Sequence, residues 1–413
     1  MAETIPQLPT GLSPILELPN ELIDQIAREL SDKNLGNFRV TSKCFHDITL
    51  AAWKKRALQD KGGYPALEWA AEHNKPSLID YLLGVFPDME VNIPQGTRDI
   101  SPLRIACGVG STQAAWALIN RGADVNYVPA GRSALVQAVR GGHDMMVQML
   151  LEKNADPNTL DYRVSNIVQV AARLNHVQTL QVILARMRAY PESMPGINDF
   201  NAQGLTALHF ASGAGATGAA TLLLESGADV DRTCNRNRFE TPLARAVRVP
   251  TLERVKMVTL LLSRGANVEG RTNETLAITN FDTPLHLAIR GRRLPDSYDL
   301  ASLLIGRGAA LNVLDHAGCP TLHAALLNRD LSMMRLIVDG GGDVNMVDEE
   351  GSSALHLLAS LDIDAFTGEA VPFFRQKGAD MFLVNNVGMT ARDLAQGTGW
   401  DAEAIEATWG SGA

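Results

Sequence analysis

Apolar positions recur along most of this chain in one fixed arrangement. A leucine followed three residues later by an alanine appears at Leu67/Ala70, Leu103/Ala106, Leu135/Ala138, Leu208/Ala211, Leu243/Ala246, Leu285/Ala288 and Leu322/Ala325. Val168/Ala171 fills the same place, Leu355 continues the series with Leu358 in the alanine slot, and Arg392 ahead of Ala395 closes it. The spacing between successive leucines runs from 32 to 42 residues. A second marker travels with the first: Gly122, Asn154, Gly227 and Gly341 each stand 19 residues after their leucine, while Gly265, Gly308 and Gly378 stand 22 or 23 after. An apolar triplet precedes the glycine, as in Met149-Leu150-Leu151 or Leu222-Leu223-Leu224. Self-similarity at such a period marks a repeat architecture, so the repeat sets the fold before any single element does.

Each marker predicts a piece of one helix pair. Ser or Thr followed by Pro or Ala ahead of the leucine starts a short helix, because a hydroxyl caps the first orphan N–H groups and proline tolerates the first turn. The alanine lets neighbouring helices approach, the apolar triplet forms the buried stripe of a second helix, and the glycine ends that helix in a left-handed backbone. One such pair cannot bury its own apolar faces, so stability comes from stacking on the neighbouring units. The expectation is an all-α chain whose residues 62–413 form an α-solenoid of about nine to ten units, the last closing as a cap. The first unit (PALEWAAEHNK) and the fourth (SNIVQVAARLNH) lack the glycine exit.

Residues 15–58 follow another pattern. Leu18, Leu22, Ile26 and Leu30 recur every four residues and give one apolar helical stripe that Pro19 can begin. Ser31-Asp32 and Thr41-Ser42 punctuate the segment into three short helices, a small bundle. Residues 1–14, with Pro6, Pro9 and Pro14, read as a flexible lead.

Two resemblances rest on these residues. TPLHLA at 283–288, SALHLLA at 353–359 and ESGADVD at 225–231 resemble ankyrin repeats. LPNEL, a helix, a polar break and FRVTSKCFHDI together resemble an F-box, with Phe45 where many members carry tryptophan. The F-box resemblance implies binding to a Skp-family adaptor, and through it to a cullin. Leu18, Pro19, Leu22 and Ile26 would meet that adaptor, with Leu35, Phe38, Val40 and Phe45 completing the contact and the bundle core. The two resemblances together imply a fungal-type substrate receptor of an SCF ubiquitin ligase. Other subunits would carry out ubiquitin transfer. The alternative is an ankyrin scaffold or inhibitor whose N-terminal bundle only shields the first repeat.

Composition narrows the field. A net charge of −9 disfavours phosphate backbones and hence nucleic acid. The four cysteines are scattered without metal-ligand spacing, as suits a reducing compartment. Neither a signal sequence nor an apolar run of membrane-spanning length is present, so the expected setting is the cytoplasm, the nucleus or both, with the chain monomeric within a complex.

Candidate chemistry is sparse. His209, His286, His323 and His356 each follow the repeat leucine directly, and His143 and His176 stand at inter-helix turns; the expected role is hydrogen bonding of neighbouring turns. No phosphate loop, nucleophile elbow or metal motif appears, so no cofactor, no metal and no catalysis are expected. Arginines, by contrast, occupy the slots from which ankyrin-like units meet partners. Arg140, Arg173, Arg248 and Arg290 stand five residues after the leucine or its substitute, Arg98, Arg163 and Arg238 five before, and Arg132 three before. Stacked repeats would align them into a basic stripe on a concave surface, suited to an acidic or phosphorylated segment of a protein substrate. Solvated arginines with no such role are the equal alternative.

Overall fold

The computed structural model describes residues 66–85, 89–92, 100–128, 133–234, 240–270, 282–291, 296–361, 364–398, 400 and 402–409. Among these residues the regular structure is helical, with isolated bridges at Leu314–Pro320 and Val384–Thr390. The packing divides into two compact units, Met1–Gly141 and Gly142–Ala413.

In the first unit the described helices are α1 (Ala66–Glu72), α2 (Pro76–Val85), α3 (Pro102–Val109), α4 (Thr112–Asn120) and α5 (Ala134–Gly141). Helix α3 packs on α1 and α5, and α4 packs on α2, so first helices stack on first helices and second on second. Ser101 caps α3 by accepting from the Arg104 N–H, Pro102 opens it, and Gly110 ends it at a φ of 87°.

The second unit continues with α6 (Asp144–Glu152), α7 (Ile167–Arg173), α8 (Val177–Ala189), α9 (Ala207–Ala214), α10 (Thr217–Glu225), α11 (Pro242–Arg248) and α12 (Arg254–Ser263). After these come α13 (Pro284–Arg290), α14 (Ser297–Gly306), α15 (Thr321–Leu327), α16 (Leu331–Asp339), α17 (Ala354–Ala359), α18 (Ala365–Gln376), α19 (Ala391–Gly397) and α20 (Ala402–Trp409). Among the described residues these are twenty helices, with two successive pairs inside the first unit and seven inside the second, while α5 ends the first unit and α6 begins the second. The leucine–alanine markers are the core: Leu208, Ala211, Leu243, Ala246, Leu285 and Ala288 are all buried, as are Leu223 and Leu261 of the second helices. Thr241 and Thr283 cap α11 and α13 by accepting the N–H groups of Ala244 and His286. The predicted exits also hold: Gly227, Gly265, Gly308, Gly341 and Gly378 have positive φ, and Asn154 takes the same conformation at 62°. The fourth repeat, which lacks that glycine, instead runs α8 on for 13 residues into a short 3-10 turn at Pro191–Ser193.

Among the described residues, no helix is long and apolar enough to cross a membrane. The eight adaptor-contact candidates, Leu18 to Phe45, lie outside the described residues, as does the whole segment 15–58.

Candidate functional site

Between one repeat and the next the chain makes a short finger, and among the described residues of the second unit a single side chain builds five of them. Asp161 accepts from the N–H groups of Arg163 (2.8 Å) and Ser165 (2.9 Å). Asn201, Asp315, Asp348 and Asn385 do the same, each accepting from the residues two and four further on. An Asx side chain competes well for local N–H groups, which is why it sits at turns rather than in helices. The fourth residue of the finger must then turn left-handed. Gly204, Gly318, Gly351 and Gly388 supply that at φ of 77°, 69°, 73° and 79°, whereas the finger of the fourth repeat uses Val164 at 58°.

Three arginines of the predicted stripe meet carboxylates at or beside the fingers. Arg173, at the end of α7, donates to Asp161 at 3.2 Å, and the aspartate side chain is fully buried. Arg248 pairs with Glu240 at 2.8 Å, and Arg245 shares that carboxylate at 3.1 Å. Arg290 pairs with Asp282 at 3.1 Å and also with Asp315 of the following finger. Arg163 is exposed, its guanidinium 5.3 Å from the centre of the Tyr162 ring. Arg140 is half-buried on α5, in the first unit. Arg98, Arg132 and Arg238 lie outside the described residues. Much of the basic character is therefore neutralised from within the protein, and the paired arginines brace the finger to the first helix. Sequence reading missed the acids that do this, because they stand at no constant offset: 12 residues before Arg173, eight before Arg248 and Arg290.

Aromatic rings accompany the arginines here. Arg173 lies 5.8 Å from the centre of the Phe210 ring on α9, and Arg232 lies 4.9 Å from that of Phe200. Several apolar side chains stay in water nearby: Tyr162 is 56% exposed, and Leu160 and Val164 are each 44% exposed.

Three of the histidines act as struts, whereas the buried Nε2 of His286 has no hydrogen-bond partner among the described residues. His209 accepts the Thr206 N–H at Nδ1 (3.2 Å) and places Nε2 2.9 Å from the Glu240 carbonyl oxygen in the next repeat. His356 repeats this with Ser353 and the Met389 carbonyl, and His323 reaches the Ser352 carbonyl. Burial lowers His209 and His286 to about 4 and pushes His323 down as well. Burial raises the Cys107 thiol strongly and the Cys319 thiol to about 11, which leaves these two inert.

One cluster has a metal-like donor set, for Asp282, Asp315 and His316 bring ligand atoms within 4.8 Å of one another. The Arg290 guanidinium bridges both carboxylates and already supplies their positive charge. Burial opposes the charge of Asp315, but the N–H groups of Cys319 and Ala317, together with Arg290, outweigh it and hold the carboxyl below its usual range.

Comparison with known proteins adds the segments outside this geometry. Residues 67–161 and 167–272 match the family described as ankyrin repeats (3 copies), and 280–316 match the single ankyrin repeat. Residues 15–54 match the F-box domain. Helices α15 to α20 continue the same pairing beyond the matched segments. Among curated proteins, the chain is 25% identical over 350 residues to the E3 ubiquitin-protein ligase KEG of Arabidopsis thaliana, covering 82% of this chain and 20% of that protein. It is 34% identical over 119 residues to the B-cell lymphoma 3 protein homolog of Mus musculus, covering 27% of this chain and 26% of that one. With the ankyrin repeat domain-containing protein 63 of Homo sapiens it shares 32% over 136 residues, covering 32% and 35%. The chain thus spans between a fifth and about a third of the length of these relatives.

Proposed function

We propose, for a chain that is an F-box domain at residues 15–54 followed by ankyrin repeats, the role of substrate-recognition subunit in a cullin–RING ubiquitin ligase of the SCF type. The observation that carries this is the order of the two modules: one whose family docks on a Skp-type adaptor, then one built to hold another protein. The ligase named among the relatives supports the same setting, at 25% identity. The chain would supply proximity, not chemistry: a target held beside the ligase core is presented at high effective concentration, and partner subunits transfer ubiquitin. The two inert thiols and the three strut-like histidines agree with a binding rather than a reacting surface.

The arginine positions remain the proposed substrate side. Their carboxylate pairs narrow this role to the donors that stay exposed, with an acidic or phosphorylated segment as the complementary ligand. We place the protein in the cytoplasm or nucleus, where such ligases work.

Co-purification with a Skp-type adaptor tests the reading, using wild type and a Pro19→Ala, Leu22→Asp double variant. Central apolar anchors carry about 2 kcal/mol or more each, so the variant should lose the adaptor while the wild type keeps it. A folded wild-type chain that captures no adaptor would instead be an ankyrin scaffold.

A further inference from the structure

We propose that the finger at residues 160–164 is the docking point for a linear segment that places a carboxylate side chain beside an apolar one. The inference deepens the receptor reading by naming the ligand class and the residues that take it.

Four observations converge on this finger. The first is strain. Val164 is β-branched and holds φ at 58°, a conformation that four of the equivalent fingers assign to glycine. A residue kept against its backbone preference marks a place where the side chain is wanted, and the inference runs from the outlier to the function. The second is exposure: Leu160, Tyr162 and Val164 form a run of large apolar side chains in water on a five-residue turn. The third is rigidity. Asp161 sits fully buried at the centre, accepting from two finger N–H groups and from Arg173, while the Val164 N–H donates to the Asp161 carbonyl at 2.9 Å. A finger fixed in this way loses little freedom on binding, so its contacts count more fully toward affinity.

The fourth is charge. Asp161 is spent on Arg173, and the exposed Arg163 guanidinium lies on the Tyr162 ring with no carboxylate within ion-pair distance among the described residues. A stacked arginine keeps its fork free to grip a planar anion. One unneutralised guanidinium matches a monoanion, hence a carboxylate in preference to a dianionic phosphate. Leu160 and Val164 then offer exposed apolar surface within the same finger.

The test uses the full chain and an array of decapeptides, each with one central Glu flanked by Leu, Ile or Phe. Every peptide is paired with its Gln and phosphoserine counterparts. The expected result is binding to Glu peptides that weakens at least tenfold on change to Gln, and at least tenfold in Tyr162→Ala or Arg163→Gln. Val164→Gly is the decisive variant. It should melt no lower than wild type yet bind at least fivefold more weakly, a combination that a merely structural turn residue would not give. A silent array with folded protein, equal binding of Glu and Gln peptides, or undiminished binding by Val164→Gly and Tyr162→Ala would overturn the proposal. Phosphoserine peptides binding more than tenfold tighter than Glu would overturn the choice of a carboxylate. Adaptor co-purification on the same preparations keeps the two ideas separable, since its failure beside intact peptide binding would remove the ligase role alone.

Discussion

His209 places its Nε2 2.9 Å from the carbonyl oxygen of Glu240, so an imidazole in one repeat holds the finger of the next. The Thr206 N–H points at Nδ1, which assigns that nitrogen as acceptor and leaves the proton on Nε2 to donate to Glu240. Burial is the main reason that this histidine stays neutral down to about pH 4. A second proton on Nδ1 would also oppose the Thr206 N–H and have to turn to the Thr206 hydroxyl oxygen, 2.8 Å away.

The consequence is acid lability with a defined window. In the unfolded chain these imidazoles protonate near 6.5, whereas in the folded chain His209 and His286 protonate near 4. Between those values the unfolded state binds more protons, so stability is complete above pH 6.5 and falls as pH drops toward 4. Each site amounts to on the order of 3 kcal/mol across the full window, and His323 acts in the same direction. Urea midpoints of the full chain measured from pH 7.5 to 4 should fall, and His209→Gln should flatten the slope. Midpoints that rise on acidification would contradict the neutral assignment.

Val164→Gly should raise stability. It removes a left-handed strain of roughly 1–2 kcal/mol, offset in part by the extra freedom glycine gives the unfolded chain, for a net gain of up to about 1 kcal/mol. The reciprocal change Gly351→Val should destabilise by more, because a Cβ there would stand 2.5 Å from Asn386 Oδ1 and 2.9 Å from its backbone nitrogen. Thermal melts of the two variants test the pair. A lower melting temperature for Val164→Gly would mean that the valine side chain contributes packing that its exposure does not show.

The contrast between these two fingers shows what a sequence of this kind reveals. Leu208 and Ala211 identify their helix because burial fixes their type and the helical period fixes their spacing, and the glycine exits are legible because φ alone selects them. Asn154 could be placed for the same reason. The arginine slots were legible as positions, but the ion pairs were not: Arg290 reaches Asp315, 25 residues on and in another repeat, across insertions of varying length. Spacing determines which face a residue shares and leaves open which neighbour neutralises it.

Arg173 shows why this matters for experiment. Arg173→Glu would set a second negative charge against the fully buried Asp161 carboxylate, and breaking such a pair from one side costs about 2 kcal/mol or more. Loss of substrate capture in that variant would then report a collapsed finger, not a lost contact. Arg173→Lys keeps the charge and should hold the melting temperature within a few degrees of wild type. A melting temperature of Arg173→Glu equal to wild type would show that the pair does not brace the finger.

Arg254 offers the sharpest test of the internal ion pairs. It is 1% exposed on α12, donates through Nε at 2.9 Å and through Nη2 to the two oxygens of Asp296, and gives Nη1 to the Val247 carbonyl at 3.2 Å. Asp296 stands at the entry to α14, so this one guanidinium ties α11, α12 and α14 together. Arg254→Ala removes the donors, leaves the Val247 carbonyl and Asp296 without them, and opens a cavity. A loss of about 3–5 kcal/mol is expected. Arg254→Met fills the space but still strands the carboxylate, which at 26% exposure can turn partly to water, so its loss should be smaller. Adding Asp296→Asn to Arg254→Met removes the stranded charge and should recover part of the difference. If the double variant were no more stable than Arg254→Met, the packing of the arginine stem, and not the burial of an unpaired charge, would govern this corner of the fold.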